Sequence, residues 1–214
     1  GMQTIKIEQP AELSEVPLGG PRDGFDFQNL HRNKRSLALN LKEDAGRKIL
    51  FKLAKKTDVF IENYRPDVKY RLGIDYETIN KINKKIVYGS ISGFGQEGPY
   101  SKRAGLDQIA QGLGGLMSVT GMPGDGPLRV GIPIADLTAG INLAYGILVA
   151  LLEREASGEG QWVKTSLLES QIMMMDLQAA RYTIAGEIPR QEGNNHPTNT
   201  PTGVFPTSDG LINI

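Results

Sequence analysis

One carboxylate in the chain stands apart from the other charged groups. Asp136 lies within the otherwise apolar, glycine-punctuated residues 130–140, where a strand-like segment precedes a long apolar run. Placing a carboxylate there is costly, which favours a dedicated use. Two uses fit and do not exclude each other: an N-cap for the following helix, or a nucleophile that the helix dipole and backbone donors keep ionised. On the residues alone, capping is the more frequent of the two.

A second polar group follows a short apolar segment. Residues 57–61 are typical of a strand, Asn63 and Tyr64 form a polar tip behind it, and Pro66 favours the start of a helix. Such tips are common as simple connections. The alternative is a ligand site, because ligands of open α/β sheets bind beyond the carboxyl ends of the strands.

The other motifs and the bulk composition exclude several classes of function. The glycine-rich loop, residues 93–99, lacks the Gly-Lys-Ser/Thr of a P-loop. The chain has no cysteine and only two histidines, His31 and His196, so we expect no metal site. Basic and acidic residues number 24 each, which gives no electrostatic basis for binding nucleic acid or an anionic membrane.

The chain also lacks the patterns of export and membrane insertion. Its first residues show no secretory signal, and the longest apolar stretch, residues 137–152, is a little short for a spanning helix of about 20 residues. We expect a cytoplasmic protein.

Strand-like and helical segments alternate along the chain, which favours an α/β fold with a largely parallel sheet. Strands are expected over residues 4–8, 36–41, 57–61, 85–92 and 161–167, and a hairpin over 204–214. Helices are expected over residues 44–56, 67–72, 76–83, 106–116, 137–155 and 168–184. Helix 137–155 is apolar nearly all round, so we expect it to be mostly buried. Residues 9–28 are expected to form an irregular loop.

Several segments together resemble the class III coenzyme A transferases, a family that includes formyl-CoA transferase and carnitine CoA-transferase. They occur in the family's order and spacing across almost the whole chain, and the ordered set is much more specific than any single segment. The segments are residues 5–8, 33–36 with Leu39 and Lys42, 58–66, 90–100, 107–111, 131–140, 158–161 and 205–210.

The resemblance implies a Rossmann-like large domain that takes coenzyme A as acyl-CoA and passes it to a carboxylic acid acceptor. Asp136 falls on the family's nucleophile, which forms an aspartyl anhydride and then an aspartyl-CoA thioester. Backbone donors near the glycines would stabilise the oxyanions that develop. Asp107 falls near the active site, and a family lysine that reaches CoA falls here on Ala104, so either Arg103 or Lys102 is expected to replace it.

The resemblance also places the contacts to CoA. They fall on Leu39, Lys42, Asn63, Tyr64 and Arg71. Tyr64 and Leu39 suit a sandwich around adenine, and the two cations suit phosphates as charge-assisted donors. The amide of Asn63 offers a donor and an acceptor to the pantetheine amides.

The departures from the family pattern define the alternatives. The acyl-CoA racemase branch carries a histidine base directly before Asp107, where this chain has Leu106, so racemisation is the weaker alternative. Full-length relatives are about twice as long, the size of a two-domain chain. We therefore expect residues 1–190 to be the large domain without its first strand–helix unit, and residues 191–214 to be a linker and the start of a small domain. A truncated chain leaves a third alternative, an inactive CoA-binding fragment, and the family's interlocked chains imply a homodimer.

Overall fold

The computed structural model describes residues 2–13 and 21–214, and strands and helices alternate along them. The strands are β1 (Thr4–Glu8), β2 (Lys34–Ala38), β3 (Val59–Glu62), β4 (Val87–Ser92), β5 (Trp162–Ser166), β6 (Val204–Pro206) and β7 (Leu211–Asn213). The helices are α1 (Phe25–His31), α2 (Asp44–Ala54), α3 (Pro66–Leu72), α4 (Tyr76–Ile82), α5 (Asp107–Leu113), α6 (Leu116–Val119), α7 (Ile134–Ser157), α8 (Leu167–Met173) and α9 (Asp176–Ala185). A short 3-10 turn spans Ala11–Leu13.

The sheets are mainly parallel. Strands β3, β4 and β5 form a parallel sheet with β4 in the middle, and β1 pairs with β2, also in parallel. The last two strands, β6 and β7, form a separate antiparallel hairpin. Parallel strands need long crossovers, and the helices between β3 and β5 supply them. The predicted α/β fold with a largely parallel arrangement is confirmed.

Strand β4 is the centre of the core because both of its faces are covered. Val87 packs against Leu143 and Ile147 of α7 on one face. On the other face Tyr88 packs with Ile79 of α4 and with Ala54 of α2. Helices therefore flank the three-stranded sheet on both sides, as parallel sheets require.

The long helix α7 runs antiparallel to the strands it covers. Near its C-terminus, Arg154 donates to the carbonyl oxygens of Asp58 (3.4 Å) and Lys85 (2.9 Å), which lie just before β3 and β4. In its middle, Leu143 lies against Gly89, where an added methyl group would come within 3.2 Å of the leucine. From Gly89 to the end of β4 is about 10 Å along the strand, and from Leu143 back to Asp136 is also about 10 Å along the helix. Asp136 therefore lies level with the carboxyl edge of the sheet.

Several expected boundaries differ from the structure. Helix α7 begins at Ile134, earlier than expected. The residues directly before it form no strand. The single helix expected over 168–184 is two helices, α8 and α9, separated at Met174 and Met175. The loop expected over 9–28 contains a 3-10 turn and most of α1, while its residues 14–20 lie outside the described part of the chain.

The expectation that α7 is mostly buried is wrong. One face packs on the sheet, but an apolar stripe on the other face is exposed. The stripe consists of Leu137, Ile141, Tyr145, Leu148, Val149 and Leu152, which are 47–74% exposed. By length and composition α7 would pass as a membrane span, yet a core helix of a sheet protein passes equally, and its inner face is packed on β4 and β5. A helix with apolar residues on every face is therefore not necessarily buried on every face.

Candidate active site

The carboxyl edge of the sheet brings together three segments that are distant in sequence. Strand β3 ends at Glu62 and leads to the tip with Asn63 and Tyr64. Strand β4 ends at Ser92 and leads into the glycine-rich loop, and α7 begins at the same edge. The crossover geometry thus collects the sequence-predicted groups, as expected for an open α/β sheet.

Asp107, and not Asp136, caps helix α7. The residue before the helix is Pro133, which offers no side-chain cap. Instead, the Asp107 carboxylate accepts the backbone N–H of Ala135 at 2.9 Å, and its other oxygen accepts Gln111 Nε2 at 2.7 Å. The interpretation of Asp136 as the N-cap is therefore wrong, because a carboxylate from α5 occupies that role.

Gln111 makes this cap rigid. It is fully buried, and its Oε1 accepts the backbone N–H of Val130 at 2.9 Å. Nη2 of Arg129 lies 3.9 Å from the capping carboxylate, at the limit of an ion pair. The segment before α7 is thus attached to α5 by side-chain bonds, and neither Gln111 nor Arg129 was singled out from the sequence.

Asp136 is left free by this arrangement. It lies in the first turn of α7 with an exposed side chain, and within residues 2–13 and 21–214 no hydrogen bond or ion pair involves its carboxylate. Although the side chain is exposed by surface area, protein atoms partly desolvate the carboxylate, and this raises its pKa. The negative charge of Asp107 raises the pKa further. Both effects raise the pKa of Asp136, which is the opposite direction from the one expected of a carboxylate at a helix N-terminus.

Four of the five expected CoA contacts line one groove. Leu39, Lys42, Tyr64 and Arg71 border a cavity of about 460 Å³ between β1, the loop after β2, and α3. Asn63 lines an adjoining cavity of about 310 Å³, which Tyr64 also borders. Leu39 is buried in the groove wall, whereas Tyr64 is 38% exposed. The sequence prediction grouped residues that the fold brings together.

Arg47 shapes the cationic wall of this groove and was missed. Its guanidinium donates to the carbonyl oxygens of Leu41 (3.0 Å) and Lys42 (2.9 Å), and it pairs with Asp44. These bonds fix the loop that carries Lys42. An arginine that binds backbone carbonyls five and six residues away has no recognisable sequence pattern, so only the fold could reveal it.

The structure does not bring Arg103 to the groove. Its guanidinium stacks over the ring of Tyr100, 4.0 Å from the centroid. Gly93 and Gly105 touch backbone to backbone at the base of this segment, because a Cβ on Gly105 would lie 2.2 Å from the Cα of Gly93. Arg103 therefore belongs to a loop whose two ends meet at the sheet edge, and its expected contact with CoA has no support in the groove.

A buried ion pair beneath the Asn63–Tyr64 tip was also missed. The side chains of Lys69 and Glu62 are 0% and 2% exposed, and the ammonium lies 3.1 Å from Glu62 Oε1. Charged residues of this kind are almost always exposed, so nothing in the sequence indicated the pair. The described ranges hold no group of three or more potential metal ligands.

Two CoA-transferases and one solved structure are similar to this chain. It is 38% identical to the succinate–glutarate CoA-transferase of Agrobacterium fabrum, over 99% of this chain and 56% of that protein. It is 37% identical to the acetyl-CoA:oxalate CoA-transferase of Acetobacter aceti, over 98% of this chain and 55% of that protein. The crystal structure of a CAIB/BAIF family protein from Brucella suis superposes with a TM-score of 0.86 at 33% identity, covering 98% of this chain and 57% of that chain.

The chain spans about half the length of the curated relatives it matches. The family profile described as CoA-transferase family III matches residues 1–214. With the parallel α/β fold and the shared edge of groove and carboxylate, this match identifies the chain as a member of CoA-transferase family III.

Proposed function

We propose that this chain carries the CoA groove and the nucleophile of an enzyme that moves CoA from an acyl-CoA to a carboxylic acid. The observation that carries the proposal is the Asp136 carboxylate, which has no partner among the described residues and lies at the sheet edge that also bears Asn63 and Tyr64. A capping carboxylate would be engaged with backbone donors, whereas this one is available to react.

The proposed reaction needs two exchanges at Asp136. Its carboxylate attacks the thioester carbonyl of the donor, expels the CoA thiolate and forms a mixed anhydride. The thiolate then attacks the aspartyl carbonyl, which releases the donor acid and leaves an aspartyl-CoA thioester. The acceptor carboxylate attacks that thioester and expels the thiolate again, and the thiolate takes the new acyl group from the second anhydride. Asp136 is regenerated, and one hard exchange is divided into easier steps.

The chain's own residues have defined roles in this scheme. Lys42 and Arg71 bind the phosphates of CoA at the groove. Tyr64 and Leu39 pack against the adenine. Asn63 forms hydrogen bonds with the pantetheine amides. Asp107 holds the first turn of α7, so that the neighbouring Asp136 is fixed but not engaged. The raised pKa of Asp136 makes the ionised form more basic and more nucleophilic than an ordinary carboxylate.

The acceptor that we propose is a short dicarboxylic acid. The names of two relatives include succinate, glutarate and oxalate, all of which are dicarboxylates. The second carboxylate of such an acceptor would lie near the negative charges of Asp107 and Asp136, so a cation is needed there to stabilise it. Arg129 touches this cluster and is 40% exposed. Racemisation has no such support, because Leu106 carries no base.

The nucleophile can be tested by mass spectrometry. With acyl-CoA and a dicarboxylic acid, a CoA adduct is expected on the peptide that contains Asp136. Asp136→Ala is expected to lose the adduct and to reduce CoA exchange about 10³-fold or more. The matched control is Asp125→Ala, which removes an exposed carboxylate from a turn. Exchange that survives in Asp136→Ala, or an adduct on another peptide, contradicts the proposal, and deuterium wash-in at the α-carbon without exchange indicates a racemase.

The pH dependence follows from the neighbouring carboxylates. Asp136 reacts only when ionised, and the charge of Asp107 raises its pKa, so Asp107→Asn is expected to move the acid limb of adduct formation to lower pH. Asparagine keeps an oxygen that can accept the Ala135 N–H, so α7 stays capped. An acid limb that does not move rules out the proposed repulsion.

The same shift has a consequence for stability. Because the folded pKa of Asp136 is raised, its ionised form costs stability at neutral pH, and this cost disappears as the pH falls through the folded pKa. Asp136→Asn is therefore expected to raise the unfolding free energy at pH 7 by less than about 1 kcal/mol, because the group is exposed. The Tm should rise slightly at pH 7 and stay unchanged in acid.

The groove can be tested with CoA and 3′-dephospho-CoA. Lys42→Met and Arg71→Met are each expected to raise the Kd for CoA about tenfold, as loss of a charge-assisted bond predicts. The penalty should shrink with dephospho-CoA for whichever cation meets the 3′-phosphate. Lys55→Met, at the exposed end of α2, is the control, and calorimetry that finds it equivalent to the groove variants contradicts the assignment.

We also propose a homodimer, supported by the exposed stripe on α7. An apolar stripe of this length on a helix marks an interaction surface. Val149→Lys is expected to shift the sedimentation mass from dimer to monomer, because it places a charge in the stripe. Ala156→Lys, also on α7, is expected to leave the mass unchanged. A wild-type protein that sediments as a monomer rejects this assembly.

A further inference from the structure

The buried ion pair beneath the tip is part of a polar cluster that the proposed reaction does not yet use. Lys69 projects from the second turn of α3 into the space between the ends of β3 and β4. Its ammonium donates to Glu62 Oε1 (3.1 Å), to Ser90 Oγ (3.3 Å) and to Gln96 Oε1. An ammonium has three donors, and all three are satisfied.

The cluster holds its own members firmly. Ser90 Oγ donates to Glu62 Oε1 at 2.5 Å and accepts the indole N–H of Trp162 at 2.8 Å. The ammonium also lies 4.7 Å from the centroid of the Trp162 ring. One cation and one anion are therefore buried together with their hydrogen bonds complete, which is the condition under which buried charge is tolerated.

Two hydrogen bonds connect the cluster to the candidate active site. Glu62 Oε2 accepts the backbone N–H of Tyr64 at 2.8 Å, which orients the tip that lines the CoA groove. Gln96 belongs to the glycine-rich loop that follows β4, and its Nε2 lies 3.4 Å from Ser92 Oγ. Lys69 thus bonds to one partner under the tip and to another in the loop.

We propose that Lys69 is a positioning residue that ties the glycine-rich loop to the Asn63–Tyr64 tip across the carboxyl edge of the sheet. This inference rests on the proposed function, because the tie matters only if acyl-CoA reacts at that edge. The bond to Gln96 fixes the loop, and the pair with Glu62 fixes the tip. With both fixed, the thioester carbonyl is held where Asp136 can reach it, and such alignment has a large effect on rate.

The chain offers a matched comparison for this tie. Lys164 also bonds to the glycine-rich loop, through Glu97 at 2.6 Å, but these side chains are 46% and 82% exposed. An exposed pair of this kind contributes little. The two lysines therefore hold the same loop, one through a buried cluster and one through solvent-exposed charges.

The test measures adduct formation on Asp136 at saturating acyl-CoA, with Kd for CoA measured separately. Gln96→Leu removes the loop half of the tie and leaves the ion pair intact. We expect about a tenfold slower adduct step with Kd nearly unchanged, and recovery of most of the rate in Gln96→Glu, which restores an acceptor for the ammonium. Lys164→Met is expected to keep the wild-type rate.

The other half of the tie is tested by changing the ion pair. Lys69→Met alone leaves Glu62 buried and unpaired and is prone to unfold, so the informative variant is Lys69→Met with Glu62→Gln, which removes both charges. We expect this double variant to fold and to form the adduct about tenfold more slowly, because the bond from Lys69 to Gln96 is lost and the loop is no longer tied to the tip. The Kd for CoA is expected to change less than the rate, because the amide oxygen introduced by Glu62→Gln can still accept the Tyr64 N–H.

The outcomes separate this inference from the proposed function. If the wild-type protein forms the adduct and the folded Gln96→Leu and double variants form it equally fast, the positioning role is wrong and the proposed function stands. If Lys164→Met slows the reaction as much as Gln96→Leu, any loosening of the loop suffices and Lys69 has no special role. If the wild-type protein forms no adduct, the proposed function fails and this inference fails with it.

Discussion

The site depends on one hydrogen bond between helices that are distant in sequence. Asp107 of α5 accepts the N–H of Ala135 and so caps α7 from outside. Because that cap is supplied from elsewhere, the carboxylate one residue further on is not needed for capping, and it bonds to no group in the described part of the chain. At the opposite end Arg154 binds the carbonyls that precede β3 and β4. A helix held at both ends presents Asp136 at a fixed height above the sheet, and its charge is costly there because a second carboxylate lies beside it.

Much of this could be predicted from sequence, and the failures have physical reasons. Alternation of strand and helix patterns predicted the α/β class, and the fold brings Leu39, Lys42, Tyr64 and Arg71, which the resemblance grouped, to one groove. The capping assignment failed because an N-cap is expected from a neighbouring residue, whereas Asp107 lies 28 residues away. Arg103 lies outside the groove, where its guanidinium stacks on Tyr100.

The buried cluster shows a second limit of sequence reasoning. Glu62 and Lys69 are seven residues apart, on a strand end and a helix, and each is of a type normally found in solvent. Their burial is possible only because Ser90 and Trp162 arrive from two other strands to complete the hydrogen bonds. The prediction that α7 is mostly buried was wrong in the opposite direction, because its outer apolar face is exposed. Apolar composition alone does not indicate which element covers a helix face. In both cases the missing information is the set of long-range partners.

The contact between Gly93 and Gly105 has a consequence for how such a site can diversify. The backbones of Gly93 and Gly105 are in contact, so the two ends of the segment between them are already held together. Lengthening a closed segment adds little to the entropy of closing it. Insertions between Glu97 and Gly105 can therefore lengthen this segment at a small entropic cost, while the Lys69–Gln96 bond and the α5–α7 cap keep their geometry.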